Sequence, residues 1–358
     1  MAGSTRLTPG GAEAPRDQWY VIAFSNEVKR EPLPRKIVGD PVVLYRRENG
    51  TPVALFDRCP HRGMRFSNGG KLIDDAMQCN YHGLEFGPDG MCRKVPSGGP
   101  ISNVMCVRSY PVVEIWNWIW IWPGNPAKAD PALIPDHHAL GLTDPSLHAY
   151  SGLLLEMDCN YLHASENLAD ATHISYLHHG FVDTGNVAAH PFREEVDEDR
   201  ITTIRDFKDE SVHPYAKISY GLRSDVVDRE LRLTALAPSV TVVSEKYWEK
   251  GVEDPRELIV RLVVPVTPAT RDKCYQFVAA VRTLPAEPAP LFEGLQSFLK
   301  EDQVALADVQ QLFDSLEPEQ RVEVSVKADS PAWRTRRIIE RMIKEERRDL
   351  ASVASAAE

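Results

Sequence analysis

The strongest constraint on this 358-residue sequence is a pair of short loops, each offering one cysteine and one histidine. Cys59-x-His61 and Cys79-x-x-His82 stand 17 residues apart within DRCPHRGMRF…MQCNYHGLEF. Two thiols and two imidazoles can hold zinc or iron, and the residue types alone do not choose between them. The grouping does. Zinc modules usually set cysteine beside cysteine and histidine beside histidine, whereas here each loop carries one of each. That division suits a [2Fe–2S] cluster with two thiolates on one iron and two imidazoles on the other, and a structural zinc site is the alternative. Neutral imidazoles lower the negative charge at such a cluster and raise its potential, so that it accepts an electron and passes it on. Gly63, Gly83, Gly87 and Gly90 read as turn residues that let backbone N–H groups approach the cluster sulfurs. The spacing leaves no role for Cys92 and Cys106, which read as small buried residues.

Around these loops the chain divides in kind. Residues 1–18 predict a frayed tail with no hydrophobic segment of the secretory type. Residues 19–130 predict an all-β domain. PVVLYRRENGTPVALF (41–56) is two strand-like runs about Asn49-Gly50, the hairpin signal. VVEIWNWIWIWPG (112–124) alternates residue by residue, which predicts one strand with Trp116, Trp118, Trp120 and Trp122 on one face, serving packing. PGNPAKADPALIPDHH (123–138) reads as a linker.

Residues 131–358 then mix helical and strand-like segments. Residues 160–178 read as helical, and ELIVRLVVPV (257–266) and YQFVAAVRTL (275–284) as strands. LFEGLQSFLKEDQVALADVQQLF (291–313) predicts an amphipathic helix, and PAWRTRRIIERMIKEERRDLASV (331–353) a second one, with Pro331 at its start and Ser330 as N-cap. A 43% hydrophobic content supports two buried cores at this length. The net charge of −11 argues against non-specific nucleic-acid binding. No apolar run reaches the roughly 18–20 residues of a membrane helix, and the expectation is a cytoplasmic protein. Six scattered cysteines form no disulfide framework.

A second constellation lies in ENLADATHISYLHH (166–179), where Asp170 and His173 stand at i, i+3 and His178 follows five residues later. A mononuclear Fe(II) oxygenase site needs two imidazoles and one carboxylate on one side of the metal, with positions left open. His173 and His178 can supply the imidazoles if the helix ends or bulges between them. The carboxylate must come from elsewhere, and Asp302 in FLKEDQVALADVQQ is the candidate. His179 in place of His178, and Glu301 in place of Asp302, are the alternatives.

CPHRG (59–63), CNYHG (79–83) and ENLADATHISYLH (166–178) together resemble the Rieske non-heme iron oxygenases, over nearly all of the chain. The strand IWIWPG, the KED-x-V…QQ helix around 300–311 and the Arg-rich terminal helix are most similar to the terminal oxygenases of the vanillate and dicamba O-demethylase kind. The resemblance implies an α+β chain, an all-β Rieske [2Fe–2S] domain followed by a helix-grip-like catalytic domain of antiparallel sheet plus helices. It implies a cluster on Cys59, His61, Cys79 and His82, Fe(II) on His173, His178 and Asp302, and Asn167 near the iron. Asp170 matches the family's bridging aspartate, bonded to His173 and reaching His82 of a neighbouring subunit in a head-to-tail homotrimer. Leu84 departs from relatives that carry an aromatic after His-Gly.

No GxGxxG motif is present, so electrons from NAD(P)H are expected through a separate reductase or ferredoxin, with O2 as co-substrate. The expected reaction is O-demethylation or hydroxylation of an aromatic acid. Ring cis-dihydroxylation, or attack on an alicyclic or N-methyl substrate, is the alternative. Arg223, Arg232, Tyr247, Trp248 and Arg261 are candidates to hold a carboxylate or ring, although each also reads as a strand-face or core residue. The Lys/Arg cluster of 334–348 reads as a solvated helix face, with docking of an acidic ferredoxin as the alternative.

Overall fold

Short β-branched and aromatic runs cut by Gly, Pro and Asn build the first of two units in the structure, a computed structural model that describes residues 14–178 and 187–356. This unit comprises Arg16–Ile134 together with Thr267–Thr270. Tyr20–Phe24, Trp118–Ile121 and Val112–Ile115 form a three-stranded sheet. Leu33–Ile37, Asp40–Arg46, Pro52–Phe56 and Ser109–Tyr110 form a second sheet, and Lys71–Ile73, Ala76–Gln78, Glu85–Phe86 and Cys92–Lys94 a third. The hairpin expected at Asn49-Gly50 is present: Arg46 pairs with Pro52, Gly50 is left-handed, and the Asn49 side chain accepts from the Thr51 N–H.

The tryptophan run is a correction. It is a hairpin and not one strand, with Ile115 opposite Trp118 and a two-residue turn at Trp116-Asn117. Trp116 carries the turn at φ 58, an uncommon conformation for a bulky residue, with its ring edge-on to Trp118 at 5.1 Å. Apolar alternation continues on both sides of the turn, so the pattern hides it. Trp118, Trp120 and Trp122 are buried, as packing residues should be.

The second unit, Pro135–Val266 with the chain up to Pro15 and from Arg271 onward, is built on a seven-stranded antiparallel sheet. Its order is His148–Met157, Cys274–Arg282, Glu257–Pro268, Val240–Glu249, Val226–Leu236, Arg200–Ser211 and Arg193–Val196. Val226–Leu236 alternates strictly, burying Val227, Arg229, Leu231, Leu233 and Ala235 on one face. Among the described residues four α-helices accompany the sheet: α1 (Tyr161–Ala169), α2 (Pro214–Tyr220), α3 (Pro288–Ser315) and α4 (Ser330–Ala356). The chain is therefore α+β, as expected.

Two helix ends differ from expectation. The 160–178 helix stops at Ala169, because Asp170 turns extended (φ −108°, ψ 113°), and Thr172–Ser175 is a separate 3-10 turn. Asp170 and His173 therefore do not share a helix face. Ser330 has helical angles and is no cap; a 3-10 turn, Lys327–Asp329, runs straight into α4, and Asp329 accepts from the Val326 N–H at 2.7 Å. On α4, buried Arg336 grips both carboxylate oxygens of Glu166 on α1 and reaches Glu323 at 3.1 Å. Among the described residues no helix is long and apolar enough to cross a membrane.

Candidate metal centres

The two Cys/His loops repeat one hydrogen-bond pattern. Cys59 N–H donates to the Met64 carbonyl and Gly63 N–H to the Cys59 carbonyl; Cys79 and Gly83 do the same with Leu84 and Cys79. Gly63 (φ 80) and Gly83 (φ 72) close both turns in the left-handed region. Gly90 is left-handed too, but Gly87 is not. This geometry sets both thiols inward, 1% exposed, and leaves His61 and His82 exposed at the tips with ring centroids 4.5 Å apart.

Burial raises the Cys59 thiol to about 11, while the backbone N–H groups of His61 and Arg62 pull it down. Two adjoining buried thiols, a backbone N–H cradle and two imidazoles open to the surface are a donor set that fits a [2Fe–2S] cluster. Leu84 is buried in the same apolar cluster as Cys59 and Cys79. Cys92 is buried as expected, whereas Cys106, in an isolated bridge with Met91, is exposed.

The second constellation is assembled by α1 and α3 lying antiparallel. Asn160, the α1 N-cap, donates its N–H to Gln310 of α3 at 2.8 Å, and Asn167 near the α1 end donates its amide to Asp302 at 3.2 Å. Leu295, Phe298, Leu299, Asp302, Gln310 and Phe313 form the buried stripe of α3. Asp302 is thus a carboxylate at a core position, and Glu301 falls off the stripe and is half-exposed.

One donor atom each of His173, His178 and Asp302 lies within 4.8 Å of the others. His173 Nε2 is 3.7 Å and His178 Nε2 3.3 Å from Asp302 Oδ1. The far nitrogens are occupied: His173 Nδ1 meets the Asp170 carbonyl at 2.5 Å, and His178 Nδ1 meets Glu301 at 2.7 Å. Both rings are so held with Nε2 inward, the arrangement metal-binding histidines take. Burial lowers the His173 pKa, keeping its imidazole neutral; at His178 burial is outweighed by hydrogen bonds to Asp302 and Glu301, which raise it. This two-imidazole, one-carboxylate set fits a non-heme iron.

The contact expected between Asp170 and His173 is made by the main-chain carbonyl. The Asp170 carboxylate is turned onto Thr172, accepting from its N–H at 2.8 Å and its hydroxyl at 2.6 Å, a local side-chain turn two residues long. His179 lies outside the described residues. His163 is buried against Phe313 on α3, apart from the triad.

A cavity of about 90 Å³ opens beside the triad, walled by apolar side chains such as Ile174, Leu231, Leu233, Val243 and Phe298. Of the pocket candidates, Arg223 bonds Glu249 and Trp248 bonds Glu257. Arg232 and Arg261 stand either side of Ser244 on the other face of the sheet, in a separate groove. Tyr247 is on the cavity's face but buried behind it, and bonds Glu245. Beyond Asp170 and the triad, the polar residues that line the cavity are Tyr220, Arg229 and Glu245, which the sequence did not single out.

The Rieske [2Fe-2S] domain family matches residues 18–111, and the vanillate O-demethylase oxygenase C-terminal domain family matches residues 157–345. The chain belongs to the vanillate O-demethylase oxygenase family. It is 30% identical to the vanillate O-demethylase oxygenase subunit of Pseudomonas sp. (strain HR199 / DSM 7063), over 96% of this chain and 99% of that protein. It is 32% identical to the dicamba O-demethylase oxygenase component of Stenotrophomonas maltophilia, over 91% and 97%. Its fold matches the crystal structure of dicamba monooxygenase with non-heme iron and dicamba at a TM-score of 0.79 and 30% identity, covering 94% of this chain and 100% of that one. As a member of this family the chain is an oxidoreductase, an oxygenase component with a Rieske [2Fe–2S] domain ahead of its catalytic domain.

Proposed function

We propose that this chain is the terminal oxygenase of a Rieske-type system and removes the methyl group of a methoxylated aromatic compound by oxidising the methyl carbon. The observation that carries this reading is the convergence of His173, His178 and Asp302 at the wall of a ring-sized apolar cavity. In it, Cys59, Cys79, His61 and His82 hold the cluster, and His173, His178 and Asp302 hold the iron. Bound there, the cluster supplies single electrons drawn from NAD(P)H through a separate reductase or ferredoxin, and the iron supplies open positions for O2.

The remaining work belongs to the chain. The Asp170 carbonyl and the Glu301 carboxylate fix both imidazoles, and the Asn167 amide orients Asp302. The apolar wall keeps water from the reacting carbon and holds the ring. The balance is ArOCH3 + O2 + NAD(P)H + H+ → ArOH + HCHO + H2O + NAD(P)+. Hydroxylation of the methyl carbon gives a hemiacetal; its CH2–O(aryl) bond breaks and the aryl oxygen leaves with the electron pair and takes a proton.

Turnover under 18O2 with a surrogate reductase tests this. Formaldehyde and a phenol that keeps its original 16O are expected; a ring diol with two labelled oxygens would replace demethylation by dihydroxylation. The assembly we propose is a homotrimer in which the exposed His61–His82 edge of one subunit meets the Asp170–His173 turn of the next. Both segments reach the surface, with Tyr81 61% and Tyr176 80% exposed. A monomer in analytical ultracentrifugation would refute it.

The roles of the adjacent carboxylates are separable. Asp302→Ala is expected to lose the mononuclear iron on dialysis against a chelator, whereas Glu301→Ala keeps it with affinity lowered about 10–100-fold. Iron per chain checks this, and the reverse ranking would exchange the two residues.

A further inference from the structure

Apart from the triad and Asp170, the cavity is apolar except at one end, and that end is built from three successive strands. Arg229 is the only arginine or lysine among the described residues that line it. Three of its five N–H donors are engaged: Nε and Nη2 bond both oxygens of Glu210 at 2.6 and 2.8 Å, and Nη1 bonds Glu245 at 2.7 Å. The guanidinium also lies over the Phe207 ring, 4.3 Å from its centre.

Glu210 reaches this place through a β-bulge. Phe207 pairs with Arg229 and Glu210 with Val227, so three steps on one strand match two on the other, and Asp209 at φ 52 takes up the extra residue. Without that residue Glu210 would point to the other face. Two carboxylates around one guanidinium leave the end of the cavity with a net charge of −1. The burial that works against the Arg229 charge is outweighed by Glu245 and Glu210, which hold its pKa above the ordinary value.

Glu245 also accepts from Tyr220 and Tyr247, phenols that burial keeps protonated. A carboxylate has about four acceptor positions, so with Arg229 and the two phenols engaged one remains. What this end offers a ligand is an acceptor on an anion. A ligand carboxylate would meet two glutamates set around one guanidinium and would add a like charge.

Resting on the oxygenase reading above, we propose that this cavity selects aromatic ethers whose other end is a non-anionic hydrogen-bond donor, a phenol, amide N–H or ammonium directed at Glu245, and turns away aromatic carboxylates. The test is calorimetric titration of the holoenzyme without O2 using 4-methoxybenzoate, 4-methoxyphenol, 4-methoxybenzamide and 4-methoxybenzylamine, followed by formaldehyde release with a reductase. The three donors are expected to bind at least about 100-fold more tightly than the benzoate, the scale of an unfavourable like-charge contact. Glu245→Gln is expected to reduce that ratio about tenfold or more by removing the charge while keeping an acceptor. The ranking in the unaltered protein decides the matter even if the variant does not fold. Benzoate binding as tightly as the donors, or no binding by any of the four at millimolar concentration, would overturn the selectivity. The two readings fail separately. Donor-selective binding with no formaldehyde from any ligand supports the selectivity and overturns demethylation; formaldehyde chiefly from the benzoate does the reverse.

Discussion

His173→Ala is expected to reduce oxygenation to below about 1% of the unaltered protein, since even outer-sphere partners of a metal site are worth 10–100-fold. The visible spectrum of the Rieske cluster should stay unchanged in the same preparation. The structural ground is that the two constellations are built independently. The cluster loops close on hydrogen bonds within 59–64 and 79–84, in the first unit. The triad is held by α1, α3 and the turn between Asp170 and His178, in the second. Removing the His173 imidazole leaves one nitrogen and one carboxylate, too few to retain iron in competition with a chelator. Iron per chain should fall from about three to about two, the pair of the [2Fe–2S] cluster being what is left. Loss of the visible spectrum would refute the two-site division, and near-normal turnover would remove His173 from the iron.

Arg336→Ala is expected to cost about 3–5 kcal/mol, because it strands a buried carboxylate. Arg336 is 6% exposed and is clamped by Glu166, with Glu323 on its other side. Glu166 sits on α1 four residues before Asp170, so the pair ties the terminal helix to the segment that carries the triad. A fall of roughly 10 °C in the melting temperature of the catalytic unit is expected in calorimetry. Arg337→Ala is the control: its side chain is exposed over the Trp333 ring, and its loss should cost no more than about 0.5 kcal/mol. Equal losses in both variants would mean that helix composition, and not the buried pair, holds α4.

The parts of this protein that could be read from its sequence are those in which neighbours in the chain are neighbours in space. The Cys/His loops are closed five-residue turns, so their spacing carries their geometry. Asp302 was separable from Glu301 because the apolar spacing of Leu295, Phe298 and Leu299 runs through it. The break after Ala169 was less visible, since Asp170 ends α1 through a local side-chain bond to Thr172 that competes with the helix.

The cavity's polar end was not legible. Arg232 and Arg229 differ by three residues on one strand, an odd step that puts them on opposite faces. Glu210 depends on a bulge, and Glu245 on the register of a third strand. Parity and register are properties of pairing, and a single sequence does not display them.

The segment Thr267–Thr270 bears on how such a protein can be taken apart. It lies 133 positions past Ile134, where the first unit's main segment ends, yet belongs to that unit, where the Pro268 and Ala269 carbonyls accept from Val38 and Gly39 and the Thr267 hydroxyl donates to the Val21 carbonyl. With the join at Pro15–Arg16, the backbone therefore crosses between the units four times. A gene fragment ending at the linker would leave Val21, Val38 and Gly39 without those partners, and a fragment starting there would carry four residues shaped for a body no longer present. Electron-transfer and oxygenase modules of this kind cannot be exchanged by a single cut; a working chimera has to carry Thr267–Thr270 from the same parent as Arg16–Ile134.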